Sequence, residues 1–213
     1  MTHTFDDDYW KDIWEGERAP SMGASDANPH LVRETGTLAP GTALDAGCGA
    51  GAEAIWLATQ GWQVTAADIA AAALERAAAR AAARGVGDRV EWVEADLAVW
   101  DPEARYDLVT THYAHPSIPQ LDLYDRIGTW VAPGGTLLIV GHLHHDYGHD
   151  HGHNHNQNTP PAEASATAAA ITARLDVASW DVRTAEESQR VLTRPGGGKV
   201  TLHDVVVRAT RRT

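Results

Sequence analysis

The sequence is poor in cysteine and contains no long apolar run. Its single cysteine, Cys48, cannot form an intramolecular disulfide framework. No apolar stretch approaches the ~20 residues that a membrane-spanning helix needs, and the N-terminal segment MTHTFDDDYW is acidic where a secretion signal would be basic. These absences argue against a disulfide-stabilised secreted protein and against membrane insertion, and they predict a cytoplasmic protein.

Positive charge is also scarce. Lys11 and Lys199 are the only lysines, and the formal net charge is −12. The arginines are scattered rather than gathered into a stripe. Binding to nucleic acid requires clustered lysine and arginine to neutralise phosphates. The composition therefore predicts that nucleic acid is not a partner.

The length and hydrophobic content fit one globular domain. The chain has 213 residues, of which 43% are hydrophobic, so residues 1–213 can bury one full core. We expect four parts within it: an N-terminal helical segment at 1–40, a core at 42–142, a histidine-rich loop at 143–158, and a helix with a closing β-hairpin at 159–213.

The segment LDAGCGAGAE joins a short apolar run to an alanine-rich helical pattern, and it predicts a strand, a glycine loop and a helix start. Glycine permits positive φ and close approach to a ligand, and the following helix offers unpaired N–H groups. The dinucleotide fingerprint places its third glycine three residues after the second, whereas Gly51 follows Gly49 by two. Asp45 would repel a pyrophosphate and suits a cationic ligand that carries an ammonium and a sulfonium.

This motif, in which Asp45 precedes Gly47, Gly49 and Gly51, resembles the first motif of the class I S-adenosylmethionine-dependent methyltransferases. The resemblance continues over residues 42–142, through a strand-and-helix alternation that includes YDLVTTH and the turn and strand APGGTLLIVGH. It implies an α/β, Rossmann-like fold. The expected sheet is seven-stranded and mostly parallel, in the order 3-2-1-4-5-7-6, with the last strand antiparallel and helices on both faces.

Two acidic residues end the second and third predicted strands. Asp68 ends WQVTAAD about 20 residues after the glycine motif, where Rossmann-type sheets place a carboxylate on ribose hydroxyls. The alternative is an N-cap for a helix beginning near Ala70, and both roles can coexist. Asp96 ends RVEWVEAD; the resemblance implies that it binds the adenine amino group and that the N–H of Leu97 contacts a ring nitrogen. Its alternative is a turn residue.

Right-handed crossovers between parallel strands bring the carboxyl ends of the strands to one edge of the sheet, where α/β proteins bind ligands. The cofactor expected there is S-adenosylmethionine. The predicted cofactor-binding residues are Trp10, Trp14, Asp45, Ala46, Gly47, Gly49, Gly51, Asp68, Ile69, Asp96, Leu97, Thr111 and His112.

The N-terminal segment 1–40 carries two tryptophans on one helical face, Trp10 and Trp14. This face can simply pack on the core. The pattern also resembles the lid of small-molecule methyltransferases of the thiopurine and tellurite type, in which the lid closes over the cofactor.

A histidine-rich tract, HLHHDYGHDHGHNHNQN, follows the fifth predicted strand and has no packable face. Its imidazoles can chelate divalent metals, although the fixed ligand spacing of a structural site is missing. The alternative is a solvated insertion with adventitious metal affinity. Methyl transfer does not require a metal. The candidate ligands are His144, His145, His149, His151, His153 and His155.

After this tract, TPPAEASATAAAITARL predicts a helix that begins near Pro160 or Pro161, and a closing hairpin is expected beyond it. Methyl transfer from a sulfonium mainly requires alignment, with a base only for a protonated acceptor. His112, His115 and His142 are the candidate catalytic residues. We predict methyl transfer to a small-molecule acceptor by a monomer or homodimer. The alternatives are a histidine-rich metal-binding or regulatory module on a Rossmann-like scaffold, and a nicotinamide-dependent oxidoreductase.

Overall fold

The computed structural model describes residues 5–16, 19, 25–143, 164–193 and 198–213. These residues form one seven-stranded sheet with helices against it. The strands are β1 (Thr42–Ala46), β2 (Gln63–Asp68), β3 (Val90–Glu94), β4 (Tyr106–His112), β5 (Val131–His142), β6 (Trp180–Thr193) and β7 (Lys199–Arg211). The α-helices are α1 (Asp7–Glu15), α2 (Pro29–Thr35), α3 (Ala52–Thr59), α4 (Ala71–Ala83), α5 (Gln120–Gly128) and α6 (Ala168–Thr172).

The strand order is β3-β2-β1-β4-β5-β7-β6, which confirms the order that the family resemblance implies. Strands β1 to β5 pair in parallel, whereas β7 runs antiparallel to both β5 and β6. Each helical crossover returns the chain to the same end of the sheet, so the carboxyl ends of β1 to β5 meet at one edge. The fold thereby brings the glycine loop and the acidic strand ends together.

Strand β5 shows why the sheet is covered on both faces. Leu137, Leu138, Ile139 and Val140 are consecutive and all fully buried. Leu137 and Ile139 join one hydrophobic cluster, and Leu138 and Val140 join the cluster on the opposite face. Because side chains alternate across a strand, an unbroken apolar run requires packing on both sides.

In the described part of the alanine-rich stretch before β6, from residue 164 on, the α-helix covers only Ala168–Thr172. The expected start near Pro160 or Pro161 lies outside the described residues. Ser165 bridges to His142, and α6 begins only at Ala168, where the Thr167 side chain accepts a hydrogen bond from the amide of Ala170 at 3.1 Å. Helix propensity is thus overridden by a strand contact and an N-cap.

Within the described ranges, none of the helices is long and apolar enough to cross a membrane.

Candidate active site

A cavity of about 660 Å³ opens at the carboxyl edge of the sheet, beneath the N-terminal segment. It is large enough for a cofactor-sized ligand. Its wall includes these predicted residues: Trp10, Trp14, Gly47, Gly49, Asp68, Ile69, Asp96, Leu97, His112 and His115. Five other predicted residues, Asp45, Ala46, Gly51, Thr111 and His142, are not part of that wall.

The glycine loop adopts the backbone that its sequence demands. Gly47, Gly49 and Gly51 have φ of +80°, +50° and +74°. A Cβ on Gly47 would lie 2.4 Å from the Cβ of Ala114, and a Cβ on Gly51 would lie 2.6 Å from the Trp92 ring. Gly51 is therefore required by packing behind the loop, while Gly47 and Gly49 border the cavity.

Asp45 does not face the cavity, contrary to its predicted role beside a cationic ligand. Its side chain is buried, and Oδ2 accepts a hydrogen bond from the amide of Ala54 at 3.1 Å. Burial, with the nearby Glu53 carboxylate adding to it, raises the pKa of Asp45 well above its usual value. The Asp45 side chain accepts a hydrogen bond in the first turn of α3. It lies one residue before the end of β1, where its side chain is directed into the protein interior.

The ribose contact of Asp68 stays a prediction, and the N-cap of α4 is Ala70 rather than Asp68. Asp68 lines the cavity, and its carboxylate accepts hydrogen bonds from the amides of Gly49 at 2.7 Å and Ala70 at 3.0 Å. Burial raises its pKa, and these backbone N–H groups partly oppose that shift. Asp68 therefore ties the end of β2 to the glycine loop while presenting its carboxylate edge to the cavity.

Asp96 and Leu97 line the same cavity after β3. Asp96 Oδ1 also accepts a hydrogen bond from the amide of Ala98 at 2.8 Å, so its turn role is present as well. Leu97 is buried, and its carbonyl accepts a hydrogen bond from Arg126 Nε at 3.0 Å. The turn is thus held rigidly at the cavity edge.

The two tryptophans of α1 lie against the site. Trp14 is buried, and a Cβ added to Gly49 would come 3.0 Å from its ring. Trp10 Nε1 donates to the carbonyl of His115 at 3.1 Å. Both tryptophans therefore pack against the cavity wall, and the lid role of this segment stays a prediction.

Arg80, a residue that the sequence did not single out, fastens this region. Its guanidinium donates to the carbonyls of Ala50 at 2.6 Å and Ser25 at 2.8 Å. The contact links α4 to the glycine loop and to the segment before α2. Nothing local in the alanine-rich helix distinguishes this arginine from its neighbours, which explains why sequence reasoning missed it.

Two of the three candidate catalytic histidines, His115 and His142, are in ring contact, and His112 lines the same cavity as His115. The ring of His142 stacks on His115 at 5.2 Å and lies 4.5 Å from Tyr113 between centroids. Burial lowers the pKa of all three imidazoles, to about 3 for His112 and about 4 for His142. They are neutral near pH 7 and poor at taking up a proton.

A buried polar network completes the site from the far edge of the sheet. Asp204, on β7, is fully buried; it accepts hydrogen bonds from Tyr113 Oη at 2.8 Å and from Arg190 Nε at 2.5 Å. Arg190 also donates to Tyr113 Oη at 2.9 Å, and His30 Nε2 lies 3.2 Å from Asp204. Tyr113 has a φ of +55°, a strained value for a residue with a side chain.

Arg190 lines the cavity, although sequence reasoning missed it. Burial tends to lower its pKa, but Tyr113 and Asp204 outweigh that effect, and the pKa of Arg190 is raised. The guanidinium is therefore a permanent cation at this end of the cavity. The register between β6 and β7 places Arg190 opposite Leu202, two positions from Asp204. Only this strand pairing could have identified Arg190, because no local sequence pattern does so.

The six histidines predicted as metal ligands, His144 to His155, lie outside the described residues. Across the ranges that the structure does describe, no group of three or more metal-binding side chains comes together.

Comparisons with known proteins agree with this fold. The profile of the methyltransferase-domain family matches residues 43–135. The small-subunit ribosomal RNA methyltransferase C of Alcanivorax borkumensis is 33% identical over 115 residues, 51% of this chain and 34% of that protein. A probable thiol methyltransferase 2 of Arabidopsis thaliana is 30% identical over 135 residues, 61% of this chain and 59% of that protein.

The chain thus spans about a third to three fifths of the length of these two curated relatives. Among solved structures, magnesium protoporphyrin IX methyltransferase (ChlM) from Synechocystis PCC 6803 with bound SAM superposes with a TM-score of 0.65 at 16% identity, covering 100% of each chain. That likeness establishes the shared fold. The match to the methyltransferase-domain family covers the glycine loop and strands β2 to β4, so this part of the chain is similar to that domain.

Proposed function

We propose that the protein transfers the methyl group of S-adenosylmethionine to a small-molecule acceptor. The observation that carries this proposal is the single cavity wall shared by the glycine loop, Asp68 and Asp96 at the carboxyl edge of a methyltransferase domain. Neither the metal-binding alternative nor the nicotinamide alternative has a comparable observation among the described residues.

The residues present fit the cofactor. Gly47 and Gly49 have no side chain at the cavity, so a ligand can approach the backbone at these two positions. Asp68 lies at the strand end where ribose hydroxyls are expected, and Asp96 lies where the adenine amino group is expected. The indole faces of Trp10 and Trp14 suit a nearby sulfonium, a cation–π contact worth about 0.5–2 kcal/mol.

The bound cofactor would supply a methyl group on a positively charged sulfur, which leaves as a neutral thioether when the acceptor attacks in line. The protein contributes alignment and exclusion of water. Phe5 and Trp10 flank His115 over the cavity, with ring centroids at 5.4 Å and 6.3 Å. This aromatic cover would shield the reacting atoms from solvent.

The acceptor is expected to arrive ionised or to lose its proton without a strong protein base. The pKa of His112 is lowered to about 3 by burial, and burial lowers the pKa of His142 to about 4. Burial also raises the pKa of the Tyr113 phenol, which therefore stays protonated. We assign the three histidines to shaping and positioning. A thiol, a chalcogen oxyanion or a phenol suits such a site, and one relative carries the name of a thiol methyltransferase.

A small acceptor is favoured over nucleic acid by charge. The net charge of −12 opposes the approach of a polyanion, and the cavity wall contains only two cationic side chains among the described residues, Arg80 and Arg190. The relative named for ribosomal RNA makes RNA the acceptor that the assay must include. The cytoplasmic location and the monomeric or dimeric state remain predictions.

Calorimetric titration with S-adenosylhomocysteine tests the cofactor assignment. We expect one site per chain, weakened roughly 10- to 100-fold in Asp96→Ala, the range for one charged hydrogen bond. Asp88→Ala, which removes an exposed acid from the 3-10 turn before β3, is the matched control and should bind like the wild type. Absence of wild-type binding would overturn the proposal.

Turnover is then measured as S-adenosylhomocysteine release with thiols, tellurite, selenite, phenols, histones and RNA. We expect activity with members of the small-molecule group. Turnover confined to the histones or RNA would contradict the assignment of a small acceptor.

A further inference from the structure

Arg190 is a cation of the cavity wall whose N–H groups are only partly used in hydrogen bonds. Of its five N–H groups, Nε–H is used on Asp204 and one terminal N–H on Tyr113 Oη. Three N–H groups therefore have no partner among the described residues. Arg80, the other cation of the wall, also uses two N–H groups, on the carbonyls of Ala50 and Ser25, but it lies on α4, which follows β2.

The guanidinium is held in place. Asp204 is fully buried and takes hydrogen bonds or ion pairs from Tyr113, Arg190 and His30, while the Arg190 side chain keeps 26% of its surface exposed. Tyr113 Oη is in turn fixed by Asn28 Nδ2 at 3.2 Å. Because its conformation is set by buried partners before any ligand binds, little entropy is lost when the free N–H groups engage an anion.

Arg190 lies away from Asp68 and Asp96 in the cavity wall. Asp68 and Asp96 follow β2 and β3, whereas Arg190 meets Tyr113 directly after β4. In the observed order, β4 lies two strands from β2 and three from β3. At about 4.8 Å per strand, this separates the guanidinium from the adenosine end of the cavity by roughly 10 to 15 Å.

We propose that Arg190 binds a carboxylate or similar oxyanion of the methyl acceptor, so that the acceptor is a small monoanion. This inference rests on the proposed methyl transfer. Three N–H groups are enough for a two-bond contact with one carboxylate. The Arg190 charge is balanced by Asp204, and the protein carries a net charge of −12, so recognition acts at contact distance and a polyanion is not favoured.

Matched acceptor pairs isolate the anionic group. Mercaptoacetate is compared with 2-mercaptoethanol, and 4-hydroxybenzoate with phenol, by S-adenosylhomocysteine release; binding of each to the S-adenosylhomocysteine complex is measured by calorimetry. We expect the wild type to favour the carboxylate member of a pair at least tenfold. In Arg190→Gln this preference should fall below about threefold, as expected for loss of a charged hydrogen bond.

Two further variants keep the test decisive. Arg190→Lys keeps a positive charge beside buried Asp204 and should fold. It lacks the planar guanidinium that can make two hydrogen bonds to a carboxylate, so it should lose most of the preference for the carboxylate acceptor. Arg183→Gln removes an exposed charge from the same strand, where Arg183 pairs with Asp181, and should leave the preference intact.

The outcomes separate the possible sources of the anion. A preference that persists in both Arg190 variants overturns the inference. A loss of S-adenosylhomocysteine affinity without a change in acceptor preference also overturns it, because Arg190 would then bind the carboxylate of the cofactor. If the wild type fails to bind S-adenosylhomocysteine, the proposed function fails; if it binds but does not distinguish the pairs, only this inference fails.

Discussion

The carboxylate of Asp68 and the backbone amide of Gly49 are joined by a hydrogen bond of 2.7 Å, which fixes the glycine loop to the end of β2. The other oxygen of the same side chain accepts a second hydrogen bond, from the amide of Ala70, the residue that precedes helix α4. Asp68 therefore positions two segments of the cavity wall besides offering a contact to the proposed cofactor. Cofactor affinity and local stability are coupled through this one residue.

Replacing Asp68 with Ala should lower both quantities. We expect S-adenosylhomocysteine binding to weaken by about 1.5–3 kcal/mol, and the free energy of unfolding to fall by about 1–3 kcal/mol because two amides lose their acceptor. Calorimetry and urea unfolding measure the two effects. Asp68→Asn, which keeps one acceptor oxygen, should lose less stability than Asp68→Ala. Unchanged cofactor affinity in both variants would remove Asp68 from the binding site.

Replacing Gly49 with Ala should strain the loop and press on Trp14. The φ of +50° disfavours a Cβ by roughly 1–2 kcal/mol, and that Cβ would lie 3.0 Å from the indole. Gly85→Ala is the matched control, since Gly85 has a φ of +70° with nothing within 4 Å of its added Cβ. Both variants should lose stability, measured by thermal unfolding, but only Gly49→Ala should weaken S-adenosylhomocysteine binding.

The steric part of the Gly49→Ala effect is separable. Adding Trp14→Ala removes the ring that the new Cβ meets, so the double variant should be less destabilised than the sum of the single variants. If the stability losses of the two single variants add up to that of the double variant, the indole moves aside without an energetic penalty, and its contact does not constrain the loop.

Single replacement of His112 or His115 by Ala should leave turnover within about tenfold of the wild type, rather than the 10²–10⁴-fold loss typical of a missing general base. The reason is that burial lowers the pKa of both imidazoles, so they do not accept a proton readily near pH 7. Initial rates of S-adenosylhomocysteine release at saturating acceptor measure this. A thousandfold loss with unchanged cofactor affinity would reinstate a catalytic base.

Acidification should destabilise the protein through His112. Its pKa is lowered to about 3 in the folded state by burial, against about 6.5 in the unfolded chain, so between these values only the unfolded state binds the proton. The contribution to stability is complete above pH 6.5 and is lost as the pH falls towards 3. Between pH 7.5 and 5 the wild type should lose about 2 kcal/mol more than His112→Asn, measured by urea unfolding. Parallel pH profiles for the two proteins would contradict this.

Deletion of residues 144–156 should abolish most divalent-metal binding while leaving cofactor affinity nearly unchanged. The described residues contain no cluster able to hold a metal, and closing a loop depends only weakly on its length. Zn²⁺ titration before and after deletion, with melting temperature and S-adenosylhomocysteine affinity as controls, tests this prediction. Metal stoichiometry that survives the deletion would place the ligands elsewhere.

Local pattern accounts for much of the architecture. Alternation in WQVTAAD and YDLVTTH predicts strands, and both segments form them, as β2 and β4. The strand order followed from the family resemblance, and the structure confirms it. Right-handed crossovers leave few ways to connect alternating strands and helices. The positive φ values of the glycine loop likewise follow from the residue type.

The sequence by itself determined the strands, the glycine loop and the acidic strand ends, because these depend on neighbours within a few residues. Only the tertiary structure decided that Asp45 turns inward to α3, and that His30 meets Asp204 across 174 positions of the chain. The same applies to Arg190 and Tyr113, which are separated by 77 positions. Such contacts are set by strand register and by helix packing over the sheet, and no local pattern encodes which distant side chain will fill a given place.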